Sequence, residues 1–100
     1  MEKYRVELSR KAYRDLDAIY DYITNTLLEP EASAGLMDKI EEAVFSLETM
    51  PNRYAYRSVG IYANKGYRQI LVRNYIVIYR VNEAKKTVTV VTVQYSARNF

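Results

Sequence analysis

The apolar positions of this chain repeat with two different periods, and the change of period divides it. From Tyr4 to Leu8 apolar and charged residues alternate, the spacing of a short strand. Beyond it the interval lengthens. Ser9 stands where an N-cap belongs, and Ala12, Leu16, Ile19, Tyr20, Ile23 and Leu27 follow at helical spacing as one core-facing stripe. The opposite side, Arg10, Lys11, Arg14, Asp15, Asp17 and Asp21, reads as a solvated face, and its aspartates as surface charge in place of a metal cluster. Glu29-Pro30-Glu31 opens a second helix, because proline suits the first turn and both acids complement the positive end of the helix dipole. Leu36, Ile40, Val44 and Leu47 mark its buried side, and Met50-Pro51 ends it, since a residue before proline is pushed out of the helical region.

The link between the helices, Thr24 to Glu29, is short, which predicts an antiparallel helical hairpin. Residues 52–65 show no clean period and read as a loop with at most one short strand. After Gly66 the pattern turns strongly β: Tyr67 to Arg73, a tight turn at Asn74, Tyr75 to Val81, a polar turn over 82–86, then Thr87 to Tyr95. Tyr75 to Val81 is apolar on both faces, as a central strand would be. The expected fold is therefore α+β in the order β-α-α-β-β-β: an N-terminal strand and a helical hairpin packed on a mainly antiparallel sheet of about four strands. One hundred residues with 49% apolar content suit one domain spanning 1–100.

Composition narrows the chemistry. There is no cysteine and no histidine, so disulfides, thiolate nucleophiles, imidazole bases and the commonest transition-metal ligands are all excluded. No cofactor and no metal is expected. The longest apolar runs, Ile76 to Tyr79 and Val90 to Val93, fall far short of the roughly 20 residues of a membrane helix. The opening MEKYRVELS lacks the apolar middle of a secretory signal, so the expected home is the cytoplasm, with no membrane partner. Charge is unevenly placed: residues 1–50 hold six basic and eleven acidic side chains, residues 51–100 nine basic and one acidic, Glu83. The cations of the C-terminal strands are expected to gather into one electropositive surface that meets a polyanion or an acidic protein segment.

Four segments in this order, YRVELSRKAYRDLDAIYDYI, EEAVFSLETMPNRY, YRQILVRNYIVIYRV and TVTVVTVQYSAR, resemble the RelE/ParE superfamily of toxins from bacterial type II toxin-antitoxin modules, over Tyr4 to Arg98. The resemblance implies the same fold, a cognate antitoxin that wraps the toxin in a hetero-oligomer, and one of two targets. RelE-like relatives cut messenger RNA on the ribosome; ParE-like relatives inhibit DNA gyrase and catalyse nothing. A third reading is an inactive remnant that binds its antitoxin and serves as a co-repressor.

A ribonuclease using the ribose 2′-hydroxyl needs a proton acceptor, a cation for the charged phosphorane and an acid for the departing oxygen. Tyr95, Arg98 and Arg68 are the catalytic candidates, Arg98 because it resembles the arginine that RelE-type toxins carry after their last strand. Tyr95 stands where many relatives place histidine, and a phenol with a pKa of about 10 donates or stacks better than it abstracts a proton. The likeness to RelE breaks at Ile76, where those chains carry an arginine. Arg73, Arg80 and Lys65 are candidates for contact with RNA or another target, although Arg68 and Arg73 fall on opposite faces of one extended strand. Leu16, Tyr20 and Arg80 are candidates for contact with the antitoxin. Arg80 could equally pair with a helix carboxylate such as Asp17 or Glu41.

Overall fold

The computed structural model describes residues 3–96. Strand β1 (Arg5–Leu8) leads into helix α1 (Arg10–Asp21), helix α2 (Pro30–Phe45) follows, and strands β2 (Arg68–Val72), β3 (Tyr75–Asn82) and β4 (Thr87–Tyr95) complete one sheet in the order β1-β4-β3-β2. The order of elements is the one expected. The sheet is mixed, because the first strand runs parallel to the last, Arg5 beside Thr87 and Leu8 beside Val90, while the other pairings are antiparallel.

Local chemistry explains the element boundaries. The Ser9 hydroxyl accepts from the Ala12 amide at 3.0 Å, capping α1, and donates to the Val91 carbonyl at 2.8 Å, which ties the helix start to β4. The end of α1 widens into a π-helical turn over Tyr22–Thr26, and Leu28 leaves it in the left-handed region at φ 55°. Pro30 and Glu31 occupy the first turn of α2 as expected. That helix tightens into a 3-10 turn over Ser46–Glu48, and Met50 adopts φ 51° before Pro51.

Leu36, Ile40, Val44 and Leu47 are buried, and with Ala12 and Ile23 they pack on Ile70, Val72, Val77, Tyr79, Val88, Val90 and Val93. Each such aliphatic side chain contributes about 1.5–3 kcal/mol by leaving water. The expected stripe of α1 is narrower than its sequence indicates. Leu16 and Ile19 are partly buried, but Tyr20 and Leu27 are 48% and 46% exposed. In β3 both faces are buried from Ile76 to Tyr79, as a central strand requires. A bulge shifts the β3–β4 register: Ile78 pairs with Thr92 and Tyr79 with Val90, leaving Val91 opposite neither.

Asp15 departs from the solvated face assigned to it. Its carboxylate reaches β4, accepting from the Thr92 hydroxyl and from the Val93 amide at 3.1 Å, and also pairs with Lys11 at 3.0 Å. No helix of the described residues is long and apolar enough to cross a membrane.

Candidate functional site

The turn between β2 and β3 and the last residues of β4 meet at one end of the sheet. Arg73 belongs to that turn, not to β2, and holds φ 54°. A side chain in the left-handed region carries a backbone cost of about 1–2 kcal/mol. Its guanidinium lies over α2, so that a Cβ on Gly35 would stand 3.9 Å from Nη1. The Ser96 amide donates to the Asn74 carbonyl at 2.7 Å, which fixes the end of β4 against the turn. Tyr75 and Tyr95 are cross-strand partners with ring centroids 5.5 Å apart in an edge-to-face arrangement.

Arg73, Asn74, Tyr75 and Tyr95 form one wall of a groove of about 720 Å³; Ile19, Tyr22, Ile23, Leu27, Glu29 and Leu36 are among the residues that form the other. Burial raises the pKa of Tyr75, with smaller contributions from Tyr95 and Tyr22, so its phenol is neutral at physiological pH. Tyr95 is 65% exposed. An apolar floor with one arginine, one glutamate and three phenols at its rim can bind an amphipathic segment.

Arg68 does not join this groove. It pairs with Tyr79 while Tyr95 pairs with Tyr75, so the two catalytic candidates are four residues apart along β3, about 13 Å at strand spacing. Arg68 instead donates from Nη1 to the Tyr54 carbonyl at 2.6 Å and lies 3.9 Å above the Tyr56 ring. Two neighbours behave alike. Arg57 donates from Nε to the Val59 carbonyl at 3.0 Å and from Nη1 to Gln69 at 2.8 Å, and Arg53 donates from Nη1 to the carbonyl of Thr49 at 2.9 Å. These three arginines brace backbone.

Arg80 lies on the outer face of the sheet, beside Thr89, in a polar cleft of about 540 Å³ shared with Arg5, Glu7, Asn82, Glu83 and Lys85. Neither Asp17 nor Glu41 pairs with it among the described residues. Lys65 is exposed in the loop before β2. The expected single electropositive surface is thus divided: Arg73 at one end of the sheet, Arg80 on its outer face, and Arg53, Arg57 and Arg68 engaged along the β2 side. Arg98 lies outside the described residues.

Of the antitoxin candidates, Leu16 lines an apolar groove of about 430 Å³ with Val6, Leu8, Tyr13, Met37, Ile40, Val44 and Phe45, rimmed by Glu41 and Glu48. Phe45 and Tyr13 are 58% and 59% exposed there. Tyr20 is exposed on α1 outside that lining, and Arg80 is on the other side of the sheet. Sequence reasoning missed Met37 and Phe45 because both fall off the apolar stripe of α2.

Comparison with known proteins follows the same lines. The family model described as ParE toxin of type II toxin-antitoxin system, parDE, matches residues 6–100. A chain of the chromosomal ParDE system from P. aeruginosa superposes with TM-score 0.76 at 26% identity, covering 94% of this chain and 97% of that one. A chain of the RelBE2 toxin-antitoxin complex from Mycobacterium tuberculosis gives TM-score 0.67 at 23% identity, with 98% and 97% covered. One from the archaeal RelE-RelB complex of Pyrococcus horikoshii OT3 gives 0.63 at 18%, with 97% and 99% covered. At the last two identities the likeness is one of fold. No curated protein sequence matches the chain.

Proposed function

Because the chain belongs to the ParE toxin family of type II toxin-antitoxin systems, we propose that it inhibits growth by binding a protein, DNA gyrase, without cutting RNA. One observation carries this reading: two residues that a ribonuclease would need together, Arg68 and Tyr95, are apart. Arg68 is bonded to the Tyr54 carbonyl and about 13 Å along the sheet from Tyr95, and Ile76 is a buried aliphatic residue where RelE-like chains place an arginine. Among the described residues of that groove, Arg73 is the one cation beside the Tyr95 phenol, without a second to share a phosphorane's charge. Arg73 and Tyr95, side by side on one groove wall, are then contacts with the target.

The cognate antitoxin is proposed to occupy the groove beside β1. That strand is outermost in the sheet, and its outer side, past the Tyr4 amide bonded to the Glu48 carbonyl at 2.8 Å, is available for an added strand. The neighbouring Val6, Leu8, Leu16, Met37 and Phe45 would receive apolar side chains of the same partner. The neutralised toxin is a hetero-oligomer.

Induced expression with and without the antitoxin, followed by mapping of transcript ends and plasmid supercoiling, tests the reading. Growth arrest with altered plasmid topology and intact transcripts is expected. Cuts at ribosome-positioned codons would replace gyrase binding with messenger cleavage, and normal growth would leave an antitoxin-binding co-repressor.

A further inference from the structure

The segment between the α2 side of the molecule and β2 is a loop built to hold its shape. The Arg57 amide donates to the Tyr67 carbonyl at 2.7 Å and the Asn64 amide to the Arg57 carbonyl at 3.1 Å, which closes the loop at its base. Inside it the Ala63 amide donates to the Gly60 carbonyl at 3.1 Å. The Arg57 side chain bonds to Val59 from within and to Gln69 on β2, and Tyr62 packs edge-on against Tyr67 at 5.0 Å. Gly60, Asn64 and Gly66 take φ of 78°, 58° and 86°, so the path needs residues that tolerate the left-handed region.

Such bracing would be unremarkable around a polar tip. Here the tip is apolar: Val59 is 43% and Ile61 75% exposed. Aliphatic side chains held in water by a fixed backbone lose little conformational freedom on docking, which is how a short contact gains affinity. A nucleic-acid partner is disfavoured by charge. Of the arginines on this flank, Arg53, Arg57 and Arg68 direct guanidinium donors to carbonyls or a side-chain amide of the chain itself. Lys65 is the one other cation of residues 57–67. Phosphate binding needs several cations facing outward.

We propose that residues 57–67 form a preformed protein-docking finger in which Ile61 enters an apolar pocket on the toxin's protein target. This rests on the reading that the chain acts by binding a protein, and it names a contact that neither the groove at Arg73 nor the groove beside β1 supplies. The anchor is aliphatic and the flanking Lys65 favours an acidic rim on the receiving surface.

Ile61→Asp and Ile61→Met test it, each expressed at the wild-type level, with growth inhibition, co-purification with the antitoxin and melting temperature measured. Binding of the purified chain to immobilised DNA gyrase and to ribosomes is followed from low to high salt. Ile61→Asp is expected to weaken growth inhibition by roughly tenfold or more, as loss of an interface anchor does. Ile61→Met should retain it, and both should melt like wild type and keep the antitoxin. Wild-type binding to gyrase should persist at high salt. A fully toxic Ile61→Asp, or one that loses the antitoxin in step with toxicity, overturns the proposal, as does target binding that collapses with salt in the manner of phosphate contacts. If the wild type does not inhibit growth, the toxin reading itself falls and the finger with it; a toxic wild type with an equally toxic Ile61→Asp removes the finger alone.

Discussion

The carboxylate of Asp15, on α1, accepts a hydrogen bond from the backbone amide of Val93, on β4, at 3.1 Å. Strand β1 stops pairing at Leu8 beside Val90, while β4 continues to Tyr95. Asp15 therefore does for Val93 what the missing strand would have done. The bulge at Val91 turns Thr92 toward the same carboxylate, so a helix side chain seals the exposed half of a sheet edge.

Asp15→Ala leaves the fully buried Thr92 hydroxyl and the Val93 amide without this acceptor. Each unsatisfied buried group costs about 1–3 kcal/mol, so a loss of about 2–6 kcal/mol is expected in urea unfolding. Asp15→Asn keeps an oxygen acceptor and should lose less. Asp17→Ala, on the exposed side of the same helix, should stay within about 0.5 kcal/mol of wild type.

Asp15 also shows where sequence reasoning ends. Ser9, Pro30 and the buried positions of α2 were legible because capping, proline geometry and helical spacing are local. The bond from Asp15 to Val93 spans 78 residues, and nothing within a helical turn of Asp15 distinguishes it from Asp17. Tyr20 leaves the core-facing stripe for a different reason: it follows Ile19 by about 100° around the helix and so sits on the flank of the stripe, 48% exposed. The basic half misled most. Arg53, Arg57 and Arg68 are bonded to carbonyls, and carbonyl acceptors leave no mark in a sequence. The sequence places Arg73 in a strand because left-handed residues are ordinarily glycine or asparagine, and Asn74 is the obvious turn residue. The glycines and Asn64 of the 57–67 loop were the one visible sign of its fixed shape.

Tyr79 is fully buried, and its hydroxyl donates to the Pro51 carbonyl at 2.5 Å, pinning the turn after α2 to the centre of the sheet. Tyr79→Phe removes that donor and should destabilise by about 1–3 kcal/mol. Burial pushes the phenol's pKa up to about 12 from 10.0. The unfolded chain thus ionises first, so the contribution of this residue is intact below pH 10 and fades as pH rises to about 12. Alkaline unfolding followed for wild type and Tyr79→Phe should show a difference in stability that shrinks across that window. A difference constant with pH would mean the phenol is not held neutral by the fold.

Glu83 joins three parts of the chain. It accepts from the Asn52 amide group at 2.7 Å, from the Tyr4 hydroxyl at 2.7 Å and from Lys86 at 3.3 Å, so the N-terminal segment, the turn after α2 and the β3–β4 hairpin share one carboxylate. The bond from Asn52, then that from Tyr4, hold its pKa down at about 2 against the ordinary 4.5. A depressed carboxylate favours the folded state above its unfolded pKa, and the benefit is lost as pH falls from 4.5 toward about 2. Glu83→Gln, which cannot ionise, should flatten the acid limb of the stability profile in that window. An acid limb identical to that of wild type would show that the three contacts do not persist in solution.

Arg73 permits a test in which stability and function move apart. Its φ of 54° suits glycine, so Arg73→Gly relieves strain of about 1–2 kcal/mol, offset in part by the entropy that glycine adds to the unfolded chain. Arg73→Ala keeps the strained backbone and loses the same side chain. Glycine should therefore give a protein at least as stable as wild type in urea and more stable than the alanine variant. Both remove the guanidinium from the groove wall it shares with Tyr95, so both should reduce growth inhibition equally. Growth inhibition that instead tracks the two stabilities would make Arg73 a turn residue alone, whereas equal loss despite the stability difference marks a side chain retained in an unfavourable backbone position for what it binds.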